Sequence, residues 1–180
     1  MFGVMMFPNK EYNIIYADPP WNYGGKPACW RSKKPYYNVM DIDDICAFPV
    51  KDISADDCVL LMWTTYPYLE QSFKVIREWG FEYKTCAFVW IKKNKKADIF
   101  FWGMGMWTRA NSELCLIGTK GKPKRYSASV HQVVYEPIRE HSRKPDCVRD
   151  RIVKVCGDLP RIELFARQKT PGWDVWGNEI

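Results

Sequence analysis

The feature that most restricts the fold of this chain is a short apolar run that stops at two prolines. Residues 12–16 are rich in strand-forming side chains, and Ala-Asp-Pro-Pro-Trp follows at residues 17–21. Because proline has no backbone N–H to donate to a neighbouring strand, a pair of prolines ends the sheet ladder there. In an open α/β sheet, ligands bind at the carboxyl ends of the strands. Asp18 is therefore predicted to lie at a ligand-binding edge.

Later apolar segments predict that this strand belongs to an α/β sheet. Helices are predicted where apolar residues recur at helical spacing, over residues 69–79 before Gly80 and from Asp146 to Gly157. Alternating strands and helices favour a single domain over residues 1–180 with a largely parallel sheet. The further strands are predicted at residues 59–63, 87–91, 113–118 and 161–167.

Size and composition limit the class of protein. With 180 residues, 47% of them hydrophobic, the chain can bury one sizeable core, and a charged fraction of 27% argues against a disordered tail or a membrane protein. Residues 1–7 are apolar but too few to span a bilayer. Seven cysteines without a C-x-x-C pair favour reduced thiols and a cytoplasmic location. Two histidines are too few for a multi-histidine centre, so we expect no metal.

The distribution of charge favours a polyanionic partner more than the formal charge of +6 does. Basic runs at residues 92–96 and 120–125 lie near several of the nine tryptophans and ten tyrosines, and aromatic faces beside cations suit unstacked bases and phosphates. We expect substrate specificity from loops at residues 22–37 and 92–111, or from a partner, the second loop being too long for a plain hairpin turn. The alternative is that the lysines are solvated and the aromatic residues belong to the core.

The Asp-Pro-Pro-Trp segment has the groups needed to activate an aromatic amine such as the N6 amine of adenine. That amine is a poor nucleophile because its lone pair is delocalised into the ring. An acceptor for the amine protons returns the lone pair toward nitrogen, and both the Asp18 carboxylate and the Pro19 carbonyl are suitable acceptors. Pro20 adds rigidity, and Trp21 offers a flat face for an extruded base. The alternative is an ordinary turn, since Asp-Pro pairs are common at turns.

This segment and four later ones together resemble the MT-A70 family of adenine N6-methyltransferases. The first segment reads Tyr-Ala-Asp-Pro-Pro-Trp at residues 16–21. The others follow in the order found in that family, and the resemblance extends from about residue 12 to the end of the chain. They lie at residues 113–121, 140–146, 161–167 and 172–179.

The resemblance implies an α/β, Rossmann-like methyltransferase fold with a permuted motif order, in which the catalytic strand precedes the main cofactor-binding strand. It implies S-adenosyl-L-methionine as the cofactor, with Lys144 at its methionine part and Glu163 at its ribose. The other expected cofactor contacts are Asp18, Phe165, Arg167, Asn178 and Glu179. The expected catalytic residues are Asp18, Pro19, Pro20 and Trp21. Substrate contacts are expected from Trp21, Tyr23, Lys93, Arg109 and Glu113, the last near the target base.

Simpler interpretations exist for single residues. Glu163 and Arg167 could be the solvent face of a strand, and Lys144 could be a surface lysine. Two other functions also stay open: a catalytically silent member of the fold that binds nucleic acid as a partner, and a methyltransferase for another amine such as cytosine N4. We expect nucleic acid as the substrate, DNA rather than RNA, with no membrane association. The sequence is compatible with a homo- or heterodimer.

Overall fold

The computed structural model describes residues 7–22, 39–105, 107–140, 143–178 and 180, which form one twisted sheet flanked by helices. The helices are α1 (Ile42–Cys46), α2 (Leu69–Glu78) and α3 (Cys147–Cys156), with single 3-10 turns at Val50–Ile53 and Tyr66–Tyr68. None of these described helices is long and apolar enough to cross a membrane. The strands are β1 (Tyr12–Ala17), β2 (Ser54–Thr64), β3 (Glu82–Lys93), β4 (Ser112–Lys120), β5 (Val133–Pro137), β6 (Arg161–Leu164) and β7 (Asp174–Trp176).

The strand order is β5-β3-β4-β2-β1-β6-β7, and β4 alone runs against the other strands of this sheet. β1 pairs in parallel with β2 on one side and with β6 on the other. The chain thus leaves β1 toward one half of the sheet and returns to the other half, which makes the carboxyl end of β1 the switch point of the sheet. β1 leads into Asp18, and β6, which carries Glu163, comes much later in the chain, as the permuted motif order requires. The predicted α/β, Rossmann-like fold with its permuted order is confirmed.

Both faces of the sheet are buried. Neighbouring side chains of each central strand point to opposite faces, so each strand contributes to both apolar clusters. Ile15 of β1 joins a cluster that contains Ile76 of α2. Ile14 joins a second cluster that contains Ile152 of α3. All four side chains are fully buried, and burial of each stabilises the fold by about 1.5–3 kcal/mol. The continuous apolar runs seen in the sequence are those of strands covered on both faces.

The predicted elements are confirmed with changes at their ends. β6 stops at Leu164 rather than at residue 167, because Phe165 has a φ of 59° and the extended conformation cannot continue through it. Asp146 holds the N-cap position of α3, but its carboxylate makes no capping hydrogen bond. The short strands β5 and β7 were not predicted.

Gly157 ends α3 with a φ of 89°, and a Cβ atom there would lie 2.8 Å from the ring of Tyr126. We expect Gly157→Ala to lower the free energy of unfolding by about 1–3 kcal/mol, because an L side chain is strained in this conformation and has no room. The measurement is the midpoint of urea unfolding. Lys154→Ala, at an exposed position of the same helix, is the control and should change stability by less than about 0.5 kcal/mol. An unchanged midpoint for Gly157→Ala would contradict this helix ending.

Candidate active site

The carboxyl ends of β1 and β6 border a cavity that is partly open to solvent. Asp18 follows β1 directly, and Glu163 lies on β6 opposite Tyr16. The wall therefore combines two carboxylates with several cations. Its lining residues are Tyr16, Asp18, Arg143, Lys144, Arg149, Glu163, Phe165, Arg167 and Gln168.

The residues after β1 form a tight turn that is anchored in the core. The backbone N–H of Trp21 donates to the carbonyl of Pro19 at 2.9 Å. The Trp21 ring is 4% exposed, donates from Nε1 to the Trp63 carbonyl at 3.2 Å, and stacks on Tyr68. A carbonyl oxygen has two lone pairs, so Pro19 can accept a second donor. Trp21 was expected to offer a face to a base; its ring is part of the core here, and its contact with a base stays a prediction.

A buried lysine joins Asp18 to Glu113. The Nζ atom of Lys144 lies 2.8 Å from Oδ2 of Asp18 and 3.2 Å from Oε2 of Glu113. Lys92 approaches the other oxygen of Glu113, with 2.6 Å between Nζ and Oε1. Lys144 is therefore no ordinary surface lysine. Its contact with Asp18 fixes the predicted catalytic carboxylate, and its expected contact with the methionine part of the cofactor stays a prediction.

The opposite charges in this chain of ion pairs stabilise each other's ionised forms despite burial. Burial by itself raises the pKa of Glu113, but the ammonium groups of Lys144 and Lys92 outweigh it, and the pKa lies below its ordinary value. Burial lowers the pKa of Lys144, yet the carboxylates of Asp18 and Glu113 raise it well above its ordinary value. Two cations thus balance two carboxylates, which is the condition for keeping charges in a protein interior.

Glu163 is buried and paired with an arginine that the sequence analysis missed. Arg149 donates from Nε to Oε2 and from its second terminal nitrogen, Nη2, to Oε1, both at 2.7 Å. Its Nη1 also donates to Asp146 at 3.0 Å. Glu163 is therefore not on the solvent face of β6. The signal in the sequence was weak: Arg149 follows Asp146 by three residues on a helix, but nothing local indicates a partner on a strand.

Arg139 and Arg143 both bind Asp146. Burial raises the pKa of Asp146, but the guanidinium groups of Arg143 and Arg139 outweigh it, so the pKa lies below its ordinary value. The Nε atom of Arg143 is buried and has no hydrogen-bond partner in the described part of the chain. Because Arg143 also lines the cavity, a ligand could satisfy this donor.

The cavity wall fits the chemistry of S-adenosylmethionine. The Arg143 donor that has no partner among the described residues, with Arg167 in the same wall, suits the carboxylate of a methionine group. Glu163 uses two of its roughly four lone-pair sites for Arg149 and keeps others for hydroxyl donors such as those of ribose. Phe165 adds an aromatic ring at the carboxyl end of β6.

The structure brings together five of the residues predicted from the sequence in the cavity wall: Asp18, Lys144, Glu163, Phe165 and Arg167. Glu113 joins them through Lys144. Asn178 is exposed and is not among the lining residues. Lys93 is the last residue of β3, and Arg109 lies on the loop between β3 and β4. Tyr23, Glu179 and most of the loop at residues 22–37 lie outside the described residues.

We expect Glu113→Gln to lower the free energy of unfolding by about 3 kcal/mol at neutral pH, because the buried ammonium of Lys144 and the partly buried one of Lys92 lose a counter-charge. The folded-state pKa of Glu113 is depressed, so its contribution is present above the ordinary value of 4.5 and is lost as the pH falls below it. The difference between wild type and variant should therefore shrink in acid, as measured by urea unfolding at several pH values. Glu82→Gln, at an exposed surface pair, is the control. A difference independent of pH would refute this account.

Residues 12–179 of this chain match the model of the MT-A70 family. The type II methyltransferase M.MunI of Mycoplasma sp is 38% identical over 192 residues, covering 96% of this chain and 79% of that relative. The human N(6)-adenosine-methyltransferase catalytic subunit METTL3 is 28% identical over 174 residues, covering 94% of this chain and 28% of that relative. An MT-A70-like N(6)-adenosine-methyltransferase of Arabidopsis thaliana is 28% identical over 172 residues, covering 94% of this chain and 24% of that relative. This chain thus spans about a quarter of the length of the last two.

The family match includes the turn at Asp18, the Lys144 segment and β6, which are the three parts of the chain that build the cavity. Most of the chain matches at once, so the similarity does not rest on one short motif. The chain belongs to the MT-A70 family and is an adenine N6-methyltransferase that uses S-adenosylmethionine as methyl donor.

Proposed function

We propose that this protein methylates adenine N6 in nucleic acid, with DNA favoured over RNA, and that residues 1–180 act as one domain. The observation that carries the proposal is the position of Asp18. It lies at the switch point of the sheet, in the wall of a cavity that also contains a buried carboxylate and an arginine donor that has no partner among the described residues. This arrangement provides one acceptor for a substrate amine beside separate groups for a charged cofactor.

Asp18 and Pro19 present two acceptors to the amine. Lys144 binds Oδ2 of Asp18, and no donor among the described residues reaches Oδ1, which can accept an amine proton. The second lone pair of the Pro19 carbonyl can accept the other. Hydrogen bonds to these fixed acceptors return the lone pair to N6 and hold the nitrogen in a single orientation. The methyl–nitrogen bond would form as the methyl–sulfur bond breaks, and the amine proton would pass to the Asp18 carboxylate or to water during or after this step.

S-adenosylmethionine, when bound, supplies an electrophilic methyl group on a sulfonium. Glu163, oriented by Arg149, would accept from the ribose hydroxyls. Phe165 would contact the apolar part of the cofactor, and Arg143 and Arg167 would bind its carboxylate. Asn178 and Glu179, close to the end of the chain, remain proposed contacts, as does Lys144.

The comparison supports DNA as the favoured polymer. The type II methyltransferase relative is 38% identical and is matched over 79% of its length. The relatives named for N(6)-adenosine are 28% identical and are matched over about a quarter of theirs. The more similar and more completely matched relative therefore supports DNA, and the adenosine-modifying relatives support RNA as the alternative.

The first test is methyl transfer from labelled S-adenosylmethionine to single-stranded DNA, duplex DNA and RNA, with mass detection of the modified nucleoside. We expect N6-methyldeoxyadenosine to exceed N6-methyladenosine. Asp18→Ala should lower turnover at least about 100-fold, because the amine loses a fixed acceptor. Its affinity for the cofactor, measured by calorimetry, should change less than about tenfold.

Asp44→Ala, at an exposed position of α1, is the matched control and should methylate at the wild-type rate. Normal turnover by Asp18→Ala would contradict the role of Asp18. A wild-type protein that binds the cofactor but modifies none of the three polymers would favour a catalytically silent member of the fold. Methylated cytosine as the product would favour the other alternative.

Arg149→Met should weaken cofactor binding by about tenfold or more, because Glu163 is left as a buried carboxylate without its bidentate partner. We expect a higher KM for the cofactor with kcat largely retained at saturation. Adding Glu163→Gln to Arg149→Met should raise the cofactor KM little further, because both substitutions disrupt the same contact. Lys154→Met on the same helix is the control, and an unchanged cofactor KM in Arg149→Met would contradict the proposed role.

A further inference from the structure

The loop between β3 and β4, here called the 94–111 loop, exposes an unusual amount of apolar surface. The Trp107 side chain is 98% exposed and that of Trp102 is 71% exposed. Single exposed apolar residues are common on protein surfaces, but several together in one loop indicate an interaction site. The other exposed members are Ile99, Phe100 and Met104.

This loop has a defined shape within its described residues. At its base, the N–H of Phe101 donates to the carbonyl of Lys92 at 2.8 Å. Farther out, its two limbs touch: a Cβ atom on Gly103 would lie 2.0 Å from the carbonyl oxygen of Ala110, and one on Gly105 would lie 2.1 Å from that of Thr108. Glycine is therefore required at both positions, and the limbs leave no room for large side chains between them. The tryptophans are directed outward as a consequence.

The loop starts at the same edge of the sheet as the cavity. β3 and β2 are both antiparallel to β4, so they run in the same direction. Because β1 is parallel to β2, β3 also runs in the direction of β1. The carboxyl ends of β3 and β1 thus share one edge. A chain of ion pairs also connects the base of the loop to the cavity, from Lys92 to Glu113, then to Lys144 and Asp18.

The charge of the loop is complementary to a phosphate backbone. Its cations are Lys95, Lys96 and Arg109, and its one acidic residue, Asp98, pairs with Lys93 at the end of β3. The guanidinium of Arg109 lies 4.7 Å from the centre of the Trp102 ring. A guanidinium over an indole ring combines a group that binds phosphate with a flat surface on which a base can stack.

We propose that the 94–111 loop binds the stretch of nucleic acid next to the target adenine, with Trp102 and Trp107 stacking on unstacked bases. Arg109, Lys95 and Lys96 contact phosphates. This proposal rests on the proposed function, since it assumes a nucleic-acid substrate in the neighbouring cavity. A second copy of the chain is a poorer occupant in a symmetric contact, because two such loops would bring like charges together.

Fluorescence anisotropy with labelled 20-nucleotide DNA, single-stranded and duplex, tests this surface. Trp102→Ala and Trp107→Ala should each weaken binding to single-stranded DNA by about 5- to 100-fold, the range for loss of one stacked base. The double variant Lys95→Ala/Lys96→Ala should weaken binding and lower the slope of log affinity against log salt by about 1.4 for single strands. Cofactor affinity by calorimetry should not change in any of them, because all these residues lie outside the cavity wall.

The matched control is Lys122→Ala/Lys124→Ala, which removes two charges from the other basic run and should bind nearly as wild type does. Unchanged DNA affinity in both tryptophan variants would overturn the proposal. So would light scattering that shows Trp107→Ala converting a dimer to a monomer with the same DNA affinity per protomer, which would assign the surface to a second copy. Failure of the proposed function has a different signature: the wild type binds DNA through this loop but transfers no methyl group.

Discussion

Lys144 is a buried cation held between two carboxylates that come from distant parts of the chain, Asp18 and Glu113. Removing an ammonium group from water is costly, and the cost is offset only while both carboxylates stay close. The contact therefore ties together the turn after β1, the start of β4 and the segment before α3. Asp18 has little freedom to move as a result, and an acceptor for a weakly nucleophilic amine works best when its position is fixed.

Arg149 holds the Glu163 carboxylate in place, as Lys144 holds that of Asp18. Each acid at the carboxyl edge of the sheet has a buried cation as its partner, but the geometry differs. The guanidinium of Arg149 binds both oxygens of Glu163, whereas Lys144 binds one oxygen of Asp18, and the other is the one proposed to accept from the substrate. Because β1 and β6 are neighbours, the two acids lie on adjacent strands, and the roles proposed for them are separate: Glu163 for the cofactor and Asp18 for the amine.

The sequence predicted the strands and motifs well, because apolar runs bounded by prolines or glycines are local signals. β1 and the position of Asp18 followed from five residues. The partners of the motif residues did not follow, since the Lys144 contact with Asp18 joins residues 126 positions apart. Burial of Trp21 was also missed, because a tryptophan after a turn has the same sequence signal whether it meets a ligand or the core. The early end of β6 depends on the positive φ of Phe165, a conformation rare for a residue other than glycine.

The reversed direction of β4 explains why Glu113 and the 94–111 loop both lie at the catalytic edge. The parallel strands end at this edge, whereas β4 begins there, so its second residue, Glu113, reaches Lys144 beside the end of β1. The same reversal lets the chain pass from the end of β3 to the start of β4 without crossing the sheet. A loop so placed can lengthen or acquire new side chains without disturbing the strands that hold Asp18 and Glu163. Variation in the polymer recognised is therefore expected to concentrate in this loop, while the buried ion pairs keep the chemistry constant.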